Sequence, residues 1–182
     1  MSDEHTATWT LNHERAILLD RPFLVGILNI TPDSFADGGI YNTPAQGVDR
    51  ARRMLDEGAD ALDIGGESTR PGAQHVEANE QVARVVPVIE AIRAAGITLP
   101  ITIDTTLAPV ACAALNAGAD AINDVSAGAE DEGMLALAAE EGCGLILMHR
   151  ERPPDQDRFS DQYEQPPVQG SVTDRVVTSL AR

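Results

Sequence analysis

Lysine is missing from this chain altogether. All 13 basic residues are arginine, against 29 acidic ones, for a formal net charge of −16. Without lysine, no lysine Schiff base can form. So acidic a surface repels nucleic acid and anionic membranes, which argues against both as partners. An anionic substrate would have to be held by local arginines and backbone N–H groups; the plainer reading is a solvated acidic surface, as from a salty habitat. Aromatic residues are scarce at 3%, so Ala, Val, Ile and Leu must supply the packing. The two cysteines, Cys112 and Cys143, stand far apart among apolar neighbours. That spacing gives no metal-ligand pair, and buried, reduced, structural thiols are expected. No apolar run approaches the roughly 20 residues needed to span a bilayer, and the N-terminal segment lacks the basic start and apolar core of a signal peptide. A cytoplasmic protein is the resulting expectation. There is no Walker loop, no Gly-x-Gly-x-x-Gly, and no Ser-His-Asp or Cys-His spacing, so a dinucleotide site is not expected.

What is present is an alternation. With 182 residues the chain is long enough for one buried core, so one domain is expected. Residues 23–30 (FLVGILNI) read as a buried strand between two prolines. Further strands are expected at 61–64, 100–104, 121–125 and 144–148. Helices are expected at 45–58, 77–95, 108–117 and 131–141, the first burying Val48, Ala51, Met54 and Leu55. Gly58, Gly118 and Gly142 each close a helix and turn it into the next strand. Gly-Ala-Asp-Ala occurs twice, at 58–61 and 118–121, as a weak internal repeat. Strands alternating with helices imply a parallel sheet with right-handed crossovers, either doubly wound or an eight-stranded barrel. Residues 8–20 alternate like a small hairpin, which in a barrel could plug the bottom. Residues 150–170 read as a long loop, and 171–182 as another helix with Ser171 as its cap. Five strands are fewer than a closed barrel needs and would leave the first and fifth as apolar edges.

In such proteins ligand groups gather at the C-terminal strand ends. Read in order, those positions carry Asn29, then Asp63 with a Gly-rich loop through Thr69, Arg70 and Pro71, then Asp104, Asn123 with Asp124, and Met148 with His149 and Arg150. Singly, an Asp or Asn there is often only a helix cap. Together they point to one shared pocket. A carboxylate and an amide can jointly read an amino-pyrimidine edge, and Met148 offers a polarizable apolar contact to a heterocycle. Arg70 can grip a phosphate bidentately, and Asn29 is a hard oxygen donor suited to Mg²⁺ bridging a phosphate.

Two long motifs carry a resemblance. Residues 26–39 (GILNITPDSFADGG) and 63–72 (DIGGESTRPG) resemble the two signatures of the dihydropteroate synthases. Three short motifs, at 103–105 (IDT), 122–124 (IND) and 147–149 (LMH), follow in order, so the likeness runs from residue 25 to about 149. It implies an α/β protein of the TIM (β/α)8 barrel family with about the first five βα units present, the rest cut off on the C-terminal side. Residues 1–182 would form one pterin-binding domain. The implied reaction condenses 6-hydroxymethyl-7,8-dihydropterin diphosphate with para-aminobenzoate, releasing diphosphate in folate synthesis, with Mg²⁺ as cofactor and a homodimer as a possible assembly. Asp104, Asn123 and Arg70 would be the catalytic residues. Asp104 and Asn123 would hold the pterin edge with Met148 on its ring, Thr69 and Arg70 would bind diphosphate, and Asn29 would bind Mg²⁺. Phe35, Asp37 and Pro71 would shape the para-aminobenzoate pocket. After Met148-His149 the family continues with an apolar or Gln-rich loop, where this chain has Arg150-Glu151-Arg152-Pro153-Pro154. The family's later strands, with an Asp-Pro-Gly end, a Lys and an Arg/His pair, are absent here. Alternative readings are a methyltetrahydrofolate-binding methyltransferase domain and a non-catalytic remnant or assembly subunit.

Overall fold

A computed structural model describes residues 7–12, 15–31, 43–159, 162 and 171–181. The chain opens with an antiparallel hairpin of β1 (Thr8–Thr10) and β2 (Ala16–Leu18), in which Trp9 faces Ile17. There follow β3 (Val25–Asn29), α1 (Pro44–Asp56), β4 (Ala61–Gly65), α2 (Ala78–Ala94), β5 (Ile101–Asp104), α3 (Ala108–Asn116), β6 (Ala121–Asp124), α4 (Met134–Glu141) and β7 (Gly144–Leu147). A short 3₁₀ turn, Pro154–Gln156, lies in the next loop, and α5 (Val172–Leu180) comes last. Strands β3 to β7 are all parallel and lie side by side in sequence order. A doubly wound sheet reverses its strand order at a switch point; this one does not, which decides for the barrel wall.

Alternation within each strand separates core from site, because successive side chains point to opposite faces. Leu62, Ile64, Ile101, Ile103 and Ile122 are fully buried against Val85, Ile89 and Ile92 of α2 and the residues of α3. Each such side chain stabilises the fold by about 1.5–3 kcal/mol relative to leaving it in water. The other face carries Asp63, Thr102, Asp104 and Asn123, and at the sheet margins Val25, Ile27, Ile146 and Met148, all four apolar and exposed. Ile27 is 62% accessible although it sits mid-strand. The described sheet is therefore a wall with one packed face and one open face, edged by β3 and β7.

Local chemistry sets the element ends. Thr43 and Gln46 form a reciprocal capping box at the start of α1, and Pro44 occupies the first turn, where its missing N–H costs nothing. Gly47 lets α1 approach α2, since a Cβ there would meet Val88 Cγ1 at 2.6 Å. Leu55, expected on the buried face, is exposed, whereas its neighbour Met54 in the same last turn is buried, so the buried stripe of α1 runs through Val48, Ala51 and Met54. Helix α4 starts at Met134 and not at 131, because the Asp131 carboxylate accepts the N–H groups of Gly133 (2.9 Å) and Ala108 (2.7 Å). Cys112 and Cys143 are unpaired and half-buried, so the expectation of buried thiols is corrected. Ser171 caps α5 through the Asp174 N–H at 3.3 Å.

The hairpin closes the N-terminal end of the sheet, as its alternation suggested. A Cβ on Gly144 would stand 2.7 Å from the Thr10 carbonyl oxygen and 3.0 Å from the Trp9 ring. Asn12 N–H donates to the Asp120 carbonyl at 2.7 Å. The Asp120 carboxylate, 2% exposed, accepts from Arg15 (2.5 Å) and Arg93 (2.6 Å), and from the Ile101 N–H at 2.8 Å. These bonds fix the hairpin against the bottom of β5 and β6 and compensate the buried charge.

Candidate functional site

Register brings the strand ends into one row. Asn29 pairs with Gly65, Gly65 with Asp104, Asp104 with Asn123, and Asn123 with Ile146. Gly65 is the gap in this row. A Cβ there would lie 3.5 Å from both Asn29 Oδ1 and Asp104 Oδ2, so Asn29 and Asp104 converge over an unfilled spot. Met148 follows two residues after Ile146 on the same face, 42% exposed, and its N–H donates to the Asp124 carbonyl at 3.2 Å.

One layer below sits Asp63, opposite Thr102. Its Oδ1 accepts the Thr102 hydroxyl, and its Oδ2 accepts Asn123 Nδ2 at 3.1 Å. That bond fixes the orientation of the Asn123 amide. Burial raises the Asp63 carboxyl above the usual range, with the two hydrogen bonds opposing. Asp104 has no such help. Its Oδ1 is buried with no hydrogen-bond partner among the described residues. Burial, then the negative charges of Asp63, Glu67 and Asp124, push its carboxyl up to about 7, and Arg150 opposes them. An orphaned buried carboxylate oxygen costs free energy until a donor arrives.

The loops above are tied together. In the β4–α2 loop, Glu67 accepts the Val76 N–H (2.9 Å) and Gln81 Nε2 (2.8 Å), and faces His75 Nδ1 at 3.2 Å. Gln81 is fully buried; its Nε2 also donates to the Val76 carbonyl (2.8 Å), and its Oε1 accepts the Thr105 hydroxyl (3.0 Å). One amide thus joins the β4 and β5 exits. The Gly72 N–H donates to the Pro154 carbonyl at 2.6 Å, stitching the β4–α2 loop to the loop after β7. Between them opens a cleft of about 370 Å³, lined among others by Thr69, Asp104, Thr105, Glu130 and Arg150.

The structure thus brings Asn29, Asp104 and Asn123 into one row, with Met148 beside it and Thr69 on the cleft wall. Arg70 is exposed on the same loop, its N–H on Ser68 Oγ at 3.4 Å, and Pro71 beside it is half-buried. Phe35 and Asp37 lie outside the described residues. Asp124 takes the capping role: its carboxylate accepts the Ser126 N–H (2.7 Å), the Ser126 hydroxyl (2.8 Å) and the Gly128 N–H (2.7 Å). Ala127, inside that turn, has φ 55°, a conformation that disfavours a Cβ. Among the described residues no three His, Cys, Asp or Glu side chains cluster as a metal site. The sequence placed Asp63 and Arg150 at strand ends without a specific role and did not single out Gln81 or Glu130. Two of them left a signal: Asp63 is a charge inside an apolar strand, and Gln81 stands one helical turn before Val85 on the buried stripe.

Comparison with known proteins gives a consistent result. The sequence pattern of the family described as pterin binding enzyme matches residues 25–176. A dihydropteroate synthase of Streptococcus pyogenes serotype M18 is 49% identical over 137 residues, 75% of this chain and 51% of that protein. Among solved structures, Yersinia pestis dihydropteroate synthase in a sulfonamide drug complex superposes with a TM-score of 0.77 at 42% identity, over 87% of this chain and 57% of that one. Burkholderia cenocepacia dihydropteroate synthase complexed with 7,8-dihydropteroate gives a TM-score of 0.76 at 37% identity, over 97% and 56%. The chain spans about half the length of the curated relatives it matches.

Proposed function

Because this chain belongs to the pterin-binding enzyme family, we propose that residues 1–182 are the pterin-binding domain of a dihydropteroate synthase. In this reading it condenses 6-hydroxymethyl-7,8-dihydropterin diphosphate with para-aminobenzoate, giving dihydropteroate and diphosphate for folate biosynthesis. The observation that carries the reading is the row itself. Asp104 offers a buried, unpartnered carboxylate oxygen beside an Asn123 amide already oriented by Asp63.

The chemistry follows from those groups. Asp104 accepts from the ring N–H and amino group of the pterin, and those donors supply the hydrogen bonds its carboxylate lacks. Asn123 reads the adjacent edge, and Met148 covers the ring. The bond from the pterin methylene carbon to the diphosphate oxygen breaks, its electron pair leaving with diphosphate. The lone pair of the para-aminobenzoate amine then bonds to the methylene cation, and the amine proton is lost to solvent. A carboxylate fixed beneath the ring stabilises the positive charge that develops there. Thr69 and Arg70 hold the diphosphate, and Phe35, Asp37 and Pro71 shape the para-aminobenzoate pocket. The gap over Gly65 suits Mg²⁺, because Asn29 Oδ1 reaches it and Mg²⁺ needs few protein ligands when phosphates and water supply the others. When bound, the ion neutralises charge on the departing diphosphate. The reading extends to a cytoplasmic enzyme and a homodimer; among the described residues no helix is long and apolar enough to cross a membrane.

The test is a fluorescence titration of 6-hydroxymethylpterin into the chain and into Asp104→Asn. Loss of two hydrogen bonds to a charged acceptor predicts at least about tenfold weaker binding in the variant. Equal affinity in both proteins removes the reading.

A further inference from the structure

Arg150 is the one arginine among the described residues lining the cleft, whose lining also includes Glu67, Asp104, Glu130 and Asp155. Its side chain is 15% exposed and ion-paired with Glu130, whose own side chain is 36% exposed. The loop that carries Arg150 is pinned beside Thr69 and Arg70 by the bond from the Gly72 N–H to the Pro154 carbonyl. A guanidinium in this position is sheltered from water, fixed next to the diphosphate loop, and held by a partner that solvent already reaches.

We propose that Arg150 is an anion-binding residue of the cleft, parked on Glu130 until a phosphoryl oxygen of the ligand replaces that carboxylate. The choice of a phosphoryl group rests on the function proposed above. The exchange is physically economical. Arg150 keeps a charge-assisted, fork-shaped pair throughout, with phosphate oxygens in place of carboxylate oxygens. Glu130 is released into solvent, where its charge is hydrated at small cost, and its backbone N–H stays on Ser126 Oγ at 3.3 Å. An anion entering among four carboxylates needs a local cation, and the chain has no lysine to supply one. The guanidinium's charge also reaches Asp104, which places it within the working volume of the site. The competing role is a purely structural pair, tying the loop after β7 to the β6–α4 loop.

The two roles predict opposite responses to one substitution. Inorganic diphosphate is titrated calorimetrically into the full 182-residue chain, Arg150→Gln, Arg150→Lys and Glu130→Gln, at about 0.1 M salt so that long-range charge is screened. Arg150→Gln is expected to bind about tenfold more weakly, with Arg150→Lys between it and the parent. Glu130→Gln is expected to bind several-fold more tightly, since the guanidinium no longer has to leave a carboxylate. Weaker binding in Glu130→Gln, or unchanged binding in Arg150→Gln, overturns the inference. If Arg150→Gln fails to fold by circular dichroism, the sign of the Glu130→Gln effect still decides. The pterin titration is independent: a chain that ignores pterin but shows the opposed diphosphate responses keeps this inference and loses the proposed function, and the reverse outcome loses this inference alone.

Discussion

Replacing Asp104 by Asn should stabilise the fold while removing pterin binding, and the stabilisation should depend on pH in a set direction. The folded carboxyl stands at about 7 against an ordinary 3.8. Each pKa unit corresponds to about 1.4 kcal/mol, so the full penalty for ionising this group in the folded chain is about 4 kcal/mol. The folded state holds the Asp104 proton more tightly than the unfolded state. The stability this contributes is therefore complete below about pH 4 and is lost as pH rises through about 7. Asn cannot titrate, so the variant escapes that loss. Relative to the parent it should gain about 2–3 kcal/mol more at pH 8 than at pH 5. The gain includes relief of repulsion with Asp63, which the same substitution removes. Urea melts at the two pH values measure it, and with a slope near 2 kcal/mol per molar the midpoint gap should widen by about 1 M. A gap that stays constant between pH 5 and pH 8 would refute the account of Asp104 as a buried, unpartnered carboxyl.

Two further substitutions probe the scaffold of the site. Gln81→Leu leaves Glu67 Oε2 and the Thr105 hydroxyl without their partner and should cost about 2–4 kcal/mol in a urea melt, since stranded buried polar groups lose their full desolvation penalty. Gly144→Ala forces a Cβ against the Thr10 carbonyl and the ring of Trp9, the single tryptophan; overpacking of about 1–3 kcal/mol should loosen the hairpin and shift Trp9 emission to the red, and an unchanged spectrum means the hairpin does not seat there.

The strands were legible because each carries a short run of β-branched and aliphatic residues bounded by glycine, proline or polar residues, and helix ends were legible wherever a glycine forced a left-handed turn. The start of α4 was not, because Asp131 spends its side chain on the neighbouring Ala108 N–H, a contact distant in sequence. Asn29, Asp104 and Asn123 could be named from their place at strand ends, yet nothing in the sequence says that Gly65 leaves a gap between two of them. That is a matter of register. Asp124 shows the limit from the other side: next to Asn123 and equally polar, it turns to the opposite face and caps a loop, as strand alternation requires. Gln81 was missed because a glutamine in a helix ordinarily faces water, and only packing reveals that it bridges two loops.

Strand alternation also has an evolutionary consequence. In β4, β5 and β6 the residues that hold the wall together and those that line the open face are interleaved, one letter apart. Leu62, Ile64, Ile103 and Ile122 answer to the helices; Asp63, Asp104 and Asn123 answer to the open face. Substitution in one set need not disturb the other, so selection can rewrite the chemistry of this surface at fixed architecture. The same interleaving makes insertions unforgiving, since a slip of one residue along any strand exchanges the two sets at once.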